Sequence, residues 1–427
     1  MNKVKLKSVL KSLKTGLNPR KNFVLNTPDA KNWYITVREL NGNGIDFLPQ
    51  TDRVSDEGLR LINNRSNLEI GDVLFSGTGS IGKTAIVSEE PKNWNIKEGV
   101  YALKPDGNVI DPRYLLYTLQ YYAGMNAFTQ QAAGSTVFSI PMKVLGEIKI
   151  NLPLMSEQKA VSRTLFLIDK KLDINNKINT KLEEIARLLY DQWFVQFDFP
   201  DANNRPYKTA GGAMVYNKEL KRKIPAGWQI KKLGDLISID RGISYTSKEI
   251  VDNSGIPMIN LASIDTSRNY RVGSLKFFSG KYKIDKIVTS GDLLMACTDL
   301  TRNADIIGSP ILVPEEYDEY LYSMDLARIN ISKDLVDMYL YESLRTDSYH
   351  NYIKWFASGT NVLHLDISGV NWYKILIPQE PLQEGFSKIN MPLRRKQAEI
   401  INENQRLKGL RDYLLPMLMN GQVVVKD

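Results

Sequence analysis

The sequence predicts a mixed α/β (α+β) chain: two tandem domains, each leading into a long helix, with the two helices antiparallel in a coiled-coil rod about a pseudo-two-fold axis. Three observations predict this. The chain repeats itself at an offset near 225, each repeat ends in a strand stopped by proline, and a long helical apolar stripe follows each proline.

The repeat is legible residue by residue. Ala-Ala-Gly-Ser-Thr-Val-Phe-Ser-Ile at 132–140 lines up with Ala-Ser-Gly-Thr-Asn-Val-Leu-His-Leu at 357–365, taking Gly134 to Gly359 and Val137 to Val362. The same shift takes Pro153 to Pro378, Asn179 to Asn404 and Leu182 to Leu407. Gly71-Asp72 matches Gly291-Asp292, and Gly16 matches Gly242, at slightly different shifts that imply small loop insertions. A period this long means two domains, not a solenoid. Each half runs through β-branched, glycine-punctuated strands such as Asp72-Val-Leu-Phe, then a helix near Arg113 or Asp337, then a last strand, Ile148–Leu152 or Lys374–Ile377.

From Glu157 to Phe197 there is no glycine or proline. Alternate steps of four and three give Val161, Leu165, Ile168, Leu172, Asn175, Asn179, Leu182, Ala186, Leu189 and Trp193, the seam of a coiled coil. The shifted register gives Phe386, Asn390, Leu393, Gln397, Ile400, Asn404, Leu407, Arg411, Leu414 and Leu418, a poorer seam that Ile401, Leu410 and Leu415 would widen. Asn179 and Asn404 are expected to act as register devices. The expected domains are therefore 1–153, a helix over 154–198, a Pro/Gly/Asn-rich linker over 199–222, a second domain over 223–378 and a second helix over 379–427.

Composition narrows the function. Of 427 residues, 43% are hydrophobic and 24% charged, as in a soluble globular protein. No apolar run would span a membrane. The basic N-terminus lacks the apolar core of a signal peptide, and the lone Cys297 excludes an internal disulfide framework. The chain is read as cytoplasmic. A net charge of +8 suits a polyanionic partner, and seven cations, including Lys11, Lys14, Arg20 and Lys21, precede the first acid.

Catalytic motifs do not survive their context. Gly77-Thr-Gly-Ser-Ile-Gly82-Lys83-Thr84 fits the P-loop pattern, but a P-loop must open a helix, and Thr84-Ala-Ile-Val reads as a strand. The equivalent Cys297-Thr-Asp-Leu-Thr-Arg-Asn-Ala has neither the glycines nor the lysine. Phe75-x-Gly77-x-Gly79 resembles an adenosylmethionine loop, yet no Pro-Pro pair exists to complete a base-holding motif. Two histidines and one cysteine cannot assemble a zinc cluster or a Cys–His pair. No catalytic, cofactor or metal site is expected.

Gly134-Ser135-Thr136-Val137, Leu152-Pro153-Leu-Met-Ser-Glu157-Gln158, the helix end Tyr190-Asp-Gln-Trp193-Phe194 through Phe199-Pro200, and Ile224-Pro225-Ala-Gly227-Trp228 resemble, in this order, the specificity subunits of type I restriction–modification systems. One departure stands out: Gln379-Glu-Pro381-Leu-Gln383 has no clear Glu-Gln, which leaves open how alike the two helix starts are but not the architecture. The resemblance implies two target-recognition domains that each read half of a split, asymmetric site on double-stranded DNA, with the helices as a ruler. It implies two modification subunits that use S-adenosylmethionine, and motor–nuclease restriction subunits that use ATP and Mg2+, with the chemistry on those partners. Polar residues of glycine-rich loops are the expected DNA contacts: Ser76, Thr78, Ser80 and Lys83 in the first half, and Thr298, Thr301, Arg302 and Asn303 in the second. Ser135, Thr136, Thr360 and Asn361 extend the set. Leu165, Leu172, Asn179, Leu182, Trp193, Asn404, Leu407 and Leu414 are expected to serve helix packing and partner docking. The alternatives are a specificity subunit of a fused methyltransferase–nuclease system, a P-loop nucleotidase and a coiled-coil scaffold.

Overall fold

The computed structural model describes residues 2–128, 138–252, 254–332, 334–423 and 425. The chain divides into two compact units, 1–174 with 406–427, and 175–405. The boundary cuts both long helices, Met155–Tyr190 and Glu380–Met419, so each unit holds one domain and a segment of each helix.

The first unit is built on a four-stranded antiparallel sheet in the order Leu10–Thr15, Val100–Pro105, Val73–Ser76, Thr84–Ile86. Both faces are covered, as the strand pattern shows. Val73, Phe75, Tyr101 and Leu103 enter one core with the helix Pro112–Gly124, while Leu74, Ala102 and Ala85 enter another with Trp94 and Ile96. A three-stranded sheet (Arg53–Val54, Asn32–Ile35, Trp94–Ile96) carries one parallel pairing, and the ribbon Asn2–Lys5 with Lys149–Leu152 closes the domain.

The second unit repeats this plan. Its sheet runs Ile237–Arg241, Leu326–Ile331, Leu293–Ala296, Pro310–Leu312, with Gln229–Lys232 and Lys374–Ile377 as the closing ribbon. Ile256–Ile259 pairs in parallel with Leu321–Tyr322, as Asn32–Ile35 does with Trp94–Ile96. The repeated sequence motifs occupy equivalent places. Gly71 and Gly291 take φ +92° and +87°, and each donates its N–H to a valine carbonyl, of Val87 or Val313. A Cβ on Gly16 would lie 1.8 Å from the Ile96 carbonyl oxygen, and one on Gly242 would lie 2.2 Å from that of Tyr322. Only glycine lets the chain pass so close to a neighbouring strand. In both halves these glycines answer a demand of the backbone, a positive φ or a close approach.

Size complementarity differs between the halves at one place. Gly77 faces the Tyr101 ring, into which a Cβ would intrude to 2.1 Å; at the equivalent positions stand Cys297 and Ala327. The large and small partners have been exchanged. This also accounts for the fully buried thiol of Cys297, whose burial pushes its pKa up to about 11 and leaves it inert.

Every position of both expected seams is buried or half-buried. Within each unit the helix segments run antiparallel. Asp169 meets Arg411 at 2.8 Å, and Val161 and Leu165 share a core with Leu418 in the first unit. In the second, Asn179 accepts from Gln397 through its carbonyl, and Trp193 meets the Phe386 ring. Three expectations are corrected here. Leu410 is 46% exposed and lies outside the stripe. Of the two expected register devices, Asn404 makes the polar knot and Asn179 does not contribute its side chain: Asn175 donates to Asn404 Oδ1 at 2.9 Å, and Asn404 donates to Asn176 Oδ1 at 2.9 Å. Antiparallel helices match residues by their sum in number, not by their shift, so the duplicated asparagines need not meet. Finally, 199–222 is folded. Phe199 stacks between Tyr207 and Trp228, Asp201 caps its own turn, and Met214–Asn217 pairs with Arg222–Pro225.

The two helix starts are alike at the glutamine and differ only at the residue before it. Gln158 donates to the carbonyls of Pro153 and Val109 and accepts from the N–H of Asp111. Gln383 does the same with Pro378, Asp334 and Val336. Only Glu157, which accepts from Leu154 N–H, lacks a counterpart, because Leu382 stands at its place.

Candidate nucleic-acid interface

In each half, two segments that the sequence marks separately are joined by a short antiparallel pairing, one bridge in the first unit and two residue pairs in the second. Thr78 pairs antiparallel with Ser139 in the first unit, and Thr298 pairs with His364 in the second. These are the same pair of positions in the repeat. The bridge sets the strand-to-strand turn beside the segment leading out of the Gly-Ser-Thr or Gly-Thr-Asn motif.

The P-loop-like segment is the turn of a β-hairpin. Phe75 pairs with Thr84, which begins a strand and not a helix. Its amides are already used. Gly77 N–H donates to Gly99, Gly79 N–H to Phe138, Gly82 N–H to Ser76 and Lys83 N–H to Ser76 Oγ. The Thr84 hydroxyl donates to the Gly42 carbonyl at 3.0 Å, and Lys83 Nζ to that of Val37 at 3.3 Å. A phosphate cradle needs those donors free and a helix behind them. Neither is present, so the nucleotidase reading loses its support. Among the described residues, no group of His, Cys, Asp or Glu could hold a metal ion.

The expected contact residues separate by exposure. Ser80 and Lys83 are exposed and Thr78 is half-buried. Ser76 is fully buried, its hydroxyl donating to the Ser80 carbonyl, so it shapes the loop and cannot touch DNA. Thr298, 3% exposed, is withdrawn for the same reason. Thr301 is half-buried and accepts from Asp305 N–H, while Arg302 and Asn303 are exposed. Thr360 and Asn361 are exposed at the tip of the hairpin formed by Ala357–Ser358 and Leu363–Leu365. Ser135 and Thr136 lie outside the described residues.

Sequence reasoning missed the residue that shapes the second loop. Asp299 is 0% exposed, and its carboxylate accepts from the N–H groups of Thr301 (2.6 Å), Ile306 (2.7 Å) and Ile307 (3.0 Å). Ala304 sits at φ +53° within the clamped turn. The available signal was an Asp two residues before a Thr in a turn, an Asx pattern.

The N-terminal cations are less free than their sequence suggests. Lys5 pairs with Glu147 at 2.7 Å, and Lys7 pairs with the same carboxylate, which they hold at about 2. Lys11 and Lys14 lie on the edge strand Leu10–Thr15, close enough to Glu69 to help Lys104 hold its carboxyl below the usual range. Both lysines are exposed, as are Arg20 and Lys21 beyond Gly16.

Of the expected docking residues, Leu165 and Trp193 are buried and Leu172, Leu182, Leu407 and Leu414 are half-buried in the seam, so they are taken up by helix packing. The exposed apolar side chains of the first long helix lie elsewhere. In the second unit they are Ile178, Ile185 and Leu188, between 40% and 60% exposed at steps of seven and three. No described helix is long and apolar enough to cross a membrane.

Residues 1–184 match the family model described as the type I restriction modification DNA specificity domain. The chain is 26% identical over 369 residues to the type I restriction enzyme MjaIX specificity subunit of Methanocaldococcus jannaschii, covering 84% of this chain and 78% of that protein. It is 22% identical over 407 residues to the HindI specificity subunit of Haemophilus influenzae, covering 83% and 86%. The crystal structure of a type-I restriction-modification system S subunit from M. genitalium shares the fold with a TM-score of 0.64 at 17% identity, over 98% of this chain and 96% of that one.

Proposed function

We propose that this chain, a member of the type I restriction–modification specificity-subunit family, reads a bipartite, asymmetric DNA site with one bridged loop pair from each half. The observation that carries this reading is the repetition of the bridge, Thr78–Ser139 and Thr298–His364, beneath loops of different chemistry. Equivalent frames with unlike side chains suit two unlike half-sites. Arg302 and Asn303 have the donor and acceptor sets that distinguish guanine and adenine in the major groove, while Ser80 and Lys83 offer a smaller and more cationic surface.

The chain directs chemistry that its partners perform. Two modification subunits would bind S-adenosylmethionine and methylate adenine, and restriction subunits would supply the ATP- and Mg2+-dependent cleavage. A 36-residue helix is about 54 Å long, longer than the roughly 34–36 Å between half-sites one turn of duplex apart. Ile178, Ile185 and Leu188 would take a modification subunit, since an exposed apolar row on an otherwise charged helix is an interface feature. Ile178→Asp with Ile185→Asp is expected to abolish co-purification of the modification subunit and leave the helical circular dichroism unchanged. Undiminished co-purification would remove this face from the docking surface.

The deciding experiment is to co-express the chain with its adenine methyltransferase partner and to map N6-methyladenine across a genome by single-molecule sequencing. Two short defined sequences around a fixed gap are expected. Methylation without a split motif would overturn the two-reader mechanism.

A further inference from the structure

We propose that Leu300 reads the 5-methyl group of one thymine, making an apolar contact the specificity determinant of the second reader; this rests on the DNA-reading function above. Leu300 is 65% exposed, although its neighbours in sequence, Asp299 and Thr301, are fully or half-buried. It belongs to neither core of the second unit's main sheet. Its position is nevertheless fixed. The strand residue Thr298 anchors one side through the His364 bridge, and the buried Asp299 carboxylate ties the turn beyond it through three backbone N–H groups. An exposed leucine on a loose loop would fold back onto apolar surface; this one is held out by the clamp.

The surroundings select the ligand. Arg302 and Asn303, exposed on the same clamped turn, are polar and suited to base edges. Even with Val362, 36% exposed and next in register beyond the Asp299–Leu363 pair, Leu300 makes too small a patch for a protein interface, which needs contiguous apolar area. In the major groove the one apolar feature that a base presents is the thymine methyl. Within the repeat, Ser80 occupies the place of Leu300, so the first reader has a hydroxyl where the second has a hydrocarbon. This difference would make the two half-sites chemically unlike at matched positions.

The test uses the assembled complex with its modification subunits and duplexes carrying the mapped site. Each thymine of both half-sites is replaced in turn by deoxyuridine, which removes only the methyl. At one position the wild-type complex is expected to bind about four-fold more weakly, the loss appropriate to one methyl group kept in water. The Leu300→Ala complex should bind the thymine and uracil duplexes equally there and resemble wild type at every other position. Because Leu300 is exposed, the variant is expected to fold and to keep its response to the first half-site. No sensitive position in wild type, or an undiminished response in Leu300→Ala, would overturn the proposal while leaving the two-reader function intact. A wild-type complex that binds the mapped site no better than scrambled DNA would instead overturn both.

Discussion

Replacing Arg394 with methionine is expected to destabilise the protein by about 3–5 kcal/mol, the usual result of removing one partner from a buried ion pair. Arg394 is 8% exposed in its side chain and grips Glu342, 3% exposed, through Nε and Nη2 at 2.6 and 2.7 Å. It also pairs with Glu183, which Arg345 holds at 2.9 Å from the other side. Burial alone would push the Glu183 carboxyl up, but the two arginines outweigh it and hold the group at about 2, against its ordinary 4.5. A lowered folded value means that this group adds stability above about pH 4.5 and loses it as pH falls through 2. In Arg394→Met, Glu342 is left without this cation and Glu183 keeps only Arg345, so the buried Glu183 carboxyl is held down less and taking up a proton relieves it. The deficit of the variant, measured by urea denaturation, should therefore be larger at pH 7 than at pH 5. A deficit below about 1 kcal/mol at pH 7 would mean that water reaches and solvates the site.

The same position in the first unit carries the inverse chemistry. Asp169 stands where Arg394 does in the repeat, Tyr117 where Glu342 does, and Tyr117 donates to Asp169 Oδ2 at 2.7 Å while Arg411 supplies the cation. Both halves fasten their helices to their domain with a polar knot of opposite sign. A first-unit segment docked against the second domain would set Asp169 against the Glu342 carboxylate.

The second large effect concerns the glutamines at the helix starts. Gln158→Leu and Gln383→Leu are each expected to cost about 3 kcal/mol, because each deletion strands two carbonyls and one N–H that face a buried side chain. Both side chains are 1% exposed. Leucine nearly matches their volume, so the loss reports hydrogen bonding and not a cavity. The two variants should lose similar stability, by thermal or urea unfolding. A cost confined to Gln158→Leu would show that the second helix start is held by other contacts.

The reading of Gln383 illustrates what sequence pattern can hide. A search for the pair Glu157-Gln158 in the second half fails because Leu382 replaces the glutamate, yet the shift of 225 lands on Gln383. The glutamate caps a single exposed N–H, and the glutamine joins three segments. The motif's informative residue was the second one.

The loops divide in the same way. Their existence was legible because glycine and proline punctuate the sequence wherever the backbone turns sharply, as at Gly79 and Gly82 with φ of +78° and +96°. Their accessible side chains were not. Ser76 and Ser80 look alike as letters, but one is sealed beneath the turn and the other faces solvent. Asp299 and Leu300 would ordinarily be assigned outside and inside, and the three N–H groups collected by Asp299 reverse them.

By itself, then, the sequence determined the duplication, the mixed α/β class, the antiparallel helix seams and the absence of a P-loop helix. Each of these follows from local chain chemistry: strand and helix periods, glycine at forced backbone angles, and proline where a strand must stop. Tertiary structure alone decided which asparagines meet across the seam, which loop residues remain available to DNA, and that 199–222 folds onto Trp228. Those outcomes depend on groups distant in sequence competing for the same buried hydrogen bonds, which no local pattern records.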